Sequence, residues 1–162
     1  MKEIKLEQTF TEYADINELP EEDRKLMKEA EQAAEAAYAP YSKFHVGAAV
    51  LLDNGTIVKG NNQENAAYPS GLCAERVALF ASGAHFPKIG IKAIAITAYS
   101  ELKDNHHQAV SPCGDCRQVM AEYEHRYGHS IRLIMEAEEG KYLVSSSVRQ
   151  LLPYMFNSDN IL

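Results

Sequence analysis

The apolar positions of the chain change period several times, and each change suggests an element. Leu26, Ala30, Ala33 and Ala37 recur at helical spacing behind Pro20, Glu21, Glu22 and Asp23. A proline followed by acids is a helix start: its missing N–H is harmless in the first turn, and carboxylates face the positive end of the helix dipole. This helix is expected to stop before Pro40, because the residue preceding a proline avoids the helical region. Residues 46–52 form a short apolar run, Asp53-Asn54-Gly55 is a hairpin signal, and residues 56–60 read as the return strand. A helix is expected from Cys73 to about Ala81, stopping at Gly83. Residues 91–98 read as a strand buried on both faces. A further helix is expected from about Cys113 to Tyr127, with Gly128 as its stop. Residues 131–135 and 142–144 read as short strands, and residues 147–152 as a short helix ended by Pro153.

Helices thus alternate with strands, which predicts one mixed sheet flanked by helices. Before Pro20 the pattern is weak. Ile4, Leu6 and Phe10 fit an edge strand or a loosely packed arm. The expected organisation is an N-terminal extension over residues 1–19 and a single domain over 20–162, a length that suffices for a core.

Composition narrows the function classes. The 162 residues carry a formal charge of −7 and a pI near 5.4. Nucleic-acid binders usually show a basic footprint, and no basic run is present. Small molecules are therefore the expected partners. No apolar run approaches the roughly 20 residues that span a bilayer, and the first residues lack the apolar core of a signal peptide. A cytoplasmic protein without membrane contact is expected.

The three cysteines, Cys73, Cys113 and Cys116, carry the chemistry. An odd number excludes a complete disulfide framework, and clustered thiols in a reducing compartment point to metal or catalysis. Cys113 and Cys116 form C-x-x-C at an expected helix start, and Cys73 stands at another. The free N–H groups of a helix start lower a thiol pKa. Three protein ligands leave a tetrahedral zinc one open position, the catalytic pattern. None of the histidines (45, 85, 106, 107, 125, 129) has finger-like spacing from the cysteines. A structural three-cysteine, one-histidine site and three unrelated buried thiols remain open as alternatives.

Glu75 favours catalysis. It stands two residues after Cys73, and a carboxylate beside the open position can take a proton from water and return it to a leaving group. Cys73-Ala74-Glu75 with Pro112-Cys113-Gly114-Asp115-Cys116 matches the zinc-deaminase signature, with cysteine in place of histidine. Three thiolates make the zinc a poor Lewis acid, so a compensating cation is expected. Arg76 can donate to the cysteine sulfurs; a solvent-facing helix arginine is the plain alternative.

At these motifs the chain resembles the cytidine deaminases, in their small homotetrameric three-cysteine form. The resemblance spans about residues 25–156. It runs through residues 38–49 (YAPYSKFHVGAA), 62–66 (NQENA), 73–76 (CAER), 112–118 (PCGDCRQ) and 151–156 (LLPYMF). It implies a three-layer α/β/α sandwich with a mixed sheet of about five strands, and one zinc ion per subunit held by Cys73, Cys113 and Cys116. It implies Glu75 as proton shuttle, Asn62 and Glu64 on the ribose hydroxyls, Phe44 against the pyrimidine, and the Ala74 N–H on the base carbonyl. It also implies a C-terminal aromatic, Phe156, reaching into a neighbouring subunit's site. The plain alternatives are turn residues for Asn62 and Glu64, core for Phe44 and a capping residue for Phe156.

The sequence departs from the pattern at Asp115, where a small residue is frequent, and at His45, where proline is frequent. Asp115 is expected to point away from the zinc. The implied reaction is hydrolysis of cytidine and 2′-deoxycytidine to the uridines and ammonia, as in pyrimidine salvage. The rivals are a deaminase of a modified or antibiotic nucleoside, a non-catalytic zinc-binding module, and a polynucleotide-editing deaminase.

Overall fold

The computed structural model describes residues 1–103 and 108–161. Six strands form one mixed sheet: β1 (Thr11–Tyr13), β2 (Phe44–Leu52), β3 (Ile57–Asn61), β4 (Ile91–Ser100), β5 (Arg132–Glu136) and β6 (Tyr142–Ser145). Their order is β1-β6-β5-β4-β2-β3. Only β4 and β5 run parallel; every other neighbouring pair is antiparallel. The expected five strands are present, and β1 is a sixth. It comes from the stretch read as an extension, and pairs Thr11–Tyr13 with Val144–Tyr142 at the sheet edge. Three residues are too few for a period to declare a strand, so pairing with β6 decides the matter.

Helices α1 (Glu21–Glu35), α2 (Ala74–His85) and α3 (Gly114–Tyr127) complete three layers. On one face α1 packs Leu26, Met27 and Ala30 against Ala49, Leu51, Ala93 and Ala95. On the other, Ala78, Leu79 and Met120 pack against Ala48, Val50, Ile94 and Ile96. The alternation along β2 and β4 therefore feeds both layers, as the doubly buried reading of β4 required. Among the described residues, no helix is long and apolar enough to cross a membrane.

Two helix ends differ from expectation. α1 stops at Glu35, so Ala37 lies outside it. The chain is diverted there because Tyr38 bridges to Gln63, with Tyr38 N donating to Asn62 O and Glu64 N donating to Tyr38 O. α2 runs through Gly83 to His85. That glycine is a packing position rather than a stop: a Cβ on it would strike the Tyr123 ring and hydroxyl of α3. Residues 148–151 form a 3₁₀ turn within the expected short helix. α3 ends as expected, with Gly128 at φ 71° and its N–H on Glu124 O and His125 O.

Two buried carboxylates tie the layers together. Asp23, in the first turn of α1, is 2% exposed and accepts from Arg132 Nε at 3.0 Å. It therefore pins α1 to β5 rather than merely facing the helix dipole. Glu124 accepts from Ile131 N (2.8 Å), Val148 N (3.1 Å) and Ser147 Oγ (2.6 Å), which joins α3 to β5 and to the C-terminal turn.

Candidate active site

α2 and α3 each begin at a cysteine. Cys73 is the N-cap of α2 and Cys113 the N-cap of α3, and neither makes a side-chain capping bond. Cys116 lies in the first turn of α3. Helix starts leave N–H groups without intrahelical partners, and two such starts meet here. The three sulfurs lie within 4.8 Å of one another, with Cys73 Sγ 3.8 Å and Cys116 Sγ 3.5 Å from Cys113 Sγ.

These separations are far too long for a disulfide. They suit zinc, since sulfurs held tetrahedrally at a Zn–S length of about 2.3 Å stand about 3.8 Å apart. Among the described residues this is the one cluster of three or more potential metal ligands, and no histidine joins it. His106 and His107 lie outside the described residues. The donor set therefore fits one zinc ion with a position left open.

The electrostatics suit a thiolate set. The Cys73 thiol is pulled down to about 5, chiefly by the neighbouring Cys116 thiol and then by Arg76, against the opposing effect of burial. The contact with Cys73 pushes the fully buried Cys116 thiol up, and burial adds to this. A dication held by the three sulfurs would displace their protons. Arg76 Nη2 lies 3.7 Å from Cys73 Sγ, and its partner there holds the guanidinium charged. A guanidinium therefore stands beside the sulfur cluster. Asp115 turns outward: its side chain is 79% exposed and its Oδ2 lies 3.8 Å from Arg76 Nη1.

Glu75 is 4% exposed, in the first turn of α2. Burial raises its carboxyl above the usual range, and the negative Cys73 pushes the same way. Ala74, fully buried, supplies one of the free N–H groups at the helix start.

Cys73, Cys113, Glu75 and Arg76 share a cleft of about 420 Å³ with Phe44, Asn62 and Glu64. That volume lies in the range of small-molecule sites. Asn62 follows β3, and its side chain extends the ladder to β2. Oδ1 accepts from Val46 N at 2.8 Å, and Nδ2 donates to Phe44 O at 2.9 Å. Glu64 Oε2 accepts from Tyr41 N (2.9 Å) and Ser42 N (3.3 Å). Hydrogen bonding by Ser42 is the largest of the influences that hold this carboxyl below its ordinary range.

Phe156 stands apart. It is 59% exposed, does not line this cleft, and its carbonyl accepts from Gln118 Nε2. The sequence reading missed Ser42, Tyr68, Leu72, Val110 and Ser111, which also line the cleft. Val110 and Ser111 directly precede Pro112-Cys113, so their place was inferable from the motif.

Gly60 sets where α2 can lie. A Cβ there would strike the backbone of Ala74 and Ala78. Gly60→Ala is expected to cost about 1–3 kcal/mol of stability through overpacking. It should also lower activity by shifting the turn that carries Ala74 and Glu75. A urea melt with a parallel activity measurement checks both.

The model of the cytidine and deoxycytidylate deaminase zinc-binding region matches residues 20–127. A cytidine deaminase of Sporosarcina psychrophila is 40% identical over 137 residues, 85% of this chain and 93% of its own. One from Halalkalibacterium halodurans is 48% identical over 97 residues, 60% of this chain and 68% of its own. The crystal structure of a cytidine deaminase from Burkholderia pseudomallei matches with a TM-score of 0.70 and 38% identity, covering 82% of this chain and 97% of that one.

Proposed function

The chain belongs to the cytidine and deoxycytidylate deaminase family, and on that premise we propose that it hydrolyses the 4-amino group of cytidine and 2′-deoxycytidine. The products are the corresponding uridines and ammonia. The observation that carries this reading is a buried carboxylate, Glu75, in the cleft that two sulfurs of a three-sulfur cluster of zinc-like spacing, Cys73 and Cys113, also line. Cys73, Cys113 and Cys116 would hold the zinc, which when bound acidifies water and supplies the electrophilic charge.

The protein's own groups then act around the base. Glu75 takes a proton from the attacking water and delivers it to N3 of the pyrimidine. Attack of the water oxygen at C4 gives a tetrahedral carbon; Glu75 then takes the remaining proton from the C4 hydroxyl and passes it to the amine, so that the C–N bond breaks, the C4 carbonyl forms and ammonia leaves. Burial raises the Glu75 carboxyl, the direction that suits a group which both takes and returns a proton. The Ala74 N–H receives the base carbonyl, Phe44 packs on the ring, and Asn62 and Glu64 bind the ribose. Arg76 offsets the thiolate charge.

The same proposal places the enzyme in the cytoplasm, in pyrimidine salvage. Residues 20–162 form its catalytic domain, and residues 1–19 are an N-terminal extension whose β1 adds the edge strand to the sheet. The assembly is a homotetramer in which Phe156, exposed on its own subunit, reaches a neighbour's cleft.

The test is an ultraviolet assay of cytidine loss with zinc content measured on the same sample. Ammonia release equal to uridine formed, lost on chelation and restored by zinc, is expected. Bound zinc without ammonia release would return the chain to a non-catalytic zinc-binding module.

A further inference from the structure

Behind the cleft, on the α1 face of the sheet, lies a polar cluster that the mechanism does not use. His45 is 8% exposed. Its ring stacks on Tyr99, its cross-strand partner, with 4.7 Å between centroids and 2° between planes. Nε2 lies 2.8 Å from Glu101 Oε1, and Nδ1 is buried without a hydrogen-bond partner among the described residues. An unpaired buried nitrogen costs free energy that an apolar residue at this strand position would not incur. Packing alone therefore does not account for a histidine here.

The cluster is linked to the cleft through residues 41–44. Lys43 has φ 56°, in the left-handed region. A non-glycine residue stays there only when its surroundings over-determine it. From the cleft side, Glu64 accepts from Tyr41 N and Ser42 N. Within the turn, Phe44 N donates to Ser42 Oγ at 3.0 Å, and Lys43 N donates to Ala39 O at 3.1 Å. From behind, Glu101 N donates to Lys43 O at 3.0 Å. The carboxylate of that same Glu101 is the group that His45 holds.

We propose that His45, acting through Glu101, is a positioning residue for nucleoside binding: it locks the strained 41–44 turn in the conformation that presents Phe44 and Glu64 to the cleft. The inference rests on the cytidine reading above.

The test compares the zinc-loaded wild type with His45→Phe, His45→Gln, Glu101→Ala and the His45→Phe/Glu101→Ala double variant, in steady-state assays on cytidine. His45→Phe keeps a ring against Tyr99 while removing the polar link. It should raise KM about tenfold and leave kcat within about twofold, the signature of lost binding common to ground and transition states. Glu101→Ala should do the same, and the double variant should be no worse than either single one, because both remove one link. His45→Gln retains a donor and should recover part of the loss. Unchanged KM in His45→Phe, additive KM effects, or a kcat loss with KM unchanged overturns the proposal. If His45→Phe fails to fold, Glu101→Ala, with its half-exposed side chain, decides the matter by the same criteria. A wild type that leaves cytidine untouched overturns the parent reading and this one together, and the wild-type arm alone reveals it.

Discussion

Glu75→Gln is expected to retain zinc and to lose at least about 10⁴-fold in kcat on cytidine. Gln matches Glu in shape, so the first turn of α2 and the neighbouring Cys73 should be undisturbed. What disappears is the capacity to take a proton. A buried amide cannot receive one from water, pass it to N3, or deliver it to the leaving amine. Because the carboxylate acts at more than one step, the loss should reach or pass the upper end of the usual range for one general acid–base group. The surroundings of Glu75 support this assignment. Burial raises its carboxyl, which makes the carboxylate a better base than an exposed one. The measurement is single-turnover and steady-state loss of cytidine, with zinc per subunit determined on the same preparation. Turnover near the wild-type rate with zinc in place would sink the proton-shuttle mechanism. Loss of zinc along with activity would move Glu75 from proton transfer to support of the cluster.

The chemical centre was legible in the sequence because its residue types are dictated by chemistry. Thiol ligands at helix starts are more readily deprotonated, and both motifs place them there: Cys73 heads α2, and Cys113 and Cys116 sit at the start of α3. Strands β2 to β6 were legible because their apolar runs and turns carry a period. β1 was legible only as one of two options, an edge strand or a loose arm, since its three residues become a strand only by pairing with β6, some 130 positions further along. Gly83 misled for a related reason. As a local signal it reads as a helix stop, whereas its role is to admit the ring of Tyr123 from another helix. The end of α1 likewise depends on the bridge from Tyr38 to Gln63. Around the cleft, the motifs pointed to Asn62 and Glu64 but not to how they are held. Both spend hydrogen bonds on the backbone of the segment that carries Phe44. The His45–Glu101 pair was invisible, because no local period encodes a contact between residues 56 positions apart.

Free cytosine is expected to be a substrate at least about 10⁴-fold poorer than cytidine in kcat/KM, because a site built to bind hydroxyls leaves polar groups unpaired when they are missing. The geometry of Asn62 and Glu64 explains why the penalty should be large. The Asn62 amide is fixed between Phe44 O and Val46 N, so it cannot swing away to find water. Glu64 is fixed by Tyr41 N and Ser42 N on one oxygen. Both groups are therefore preorganised toward whatever fills the cleft. With the sugar absent, the base also loses the anchor that sets C4 against Glu75, so kcat should fall together with binding. The comparison should include 2′-deoxycytidine, with all three compounds assayed on one preparation. If the two nucleosides behave alike and cytosine fails, the 2′-hydroxyl carries little and the remaining sugar contacts carry the specificity. If cytosine is turned over about as efficiently as cytidine, Asn62 and Glu64 serve only to hold the 41–46 segment in place, and the ribose-binding role assigned to them is wrong.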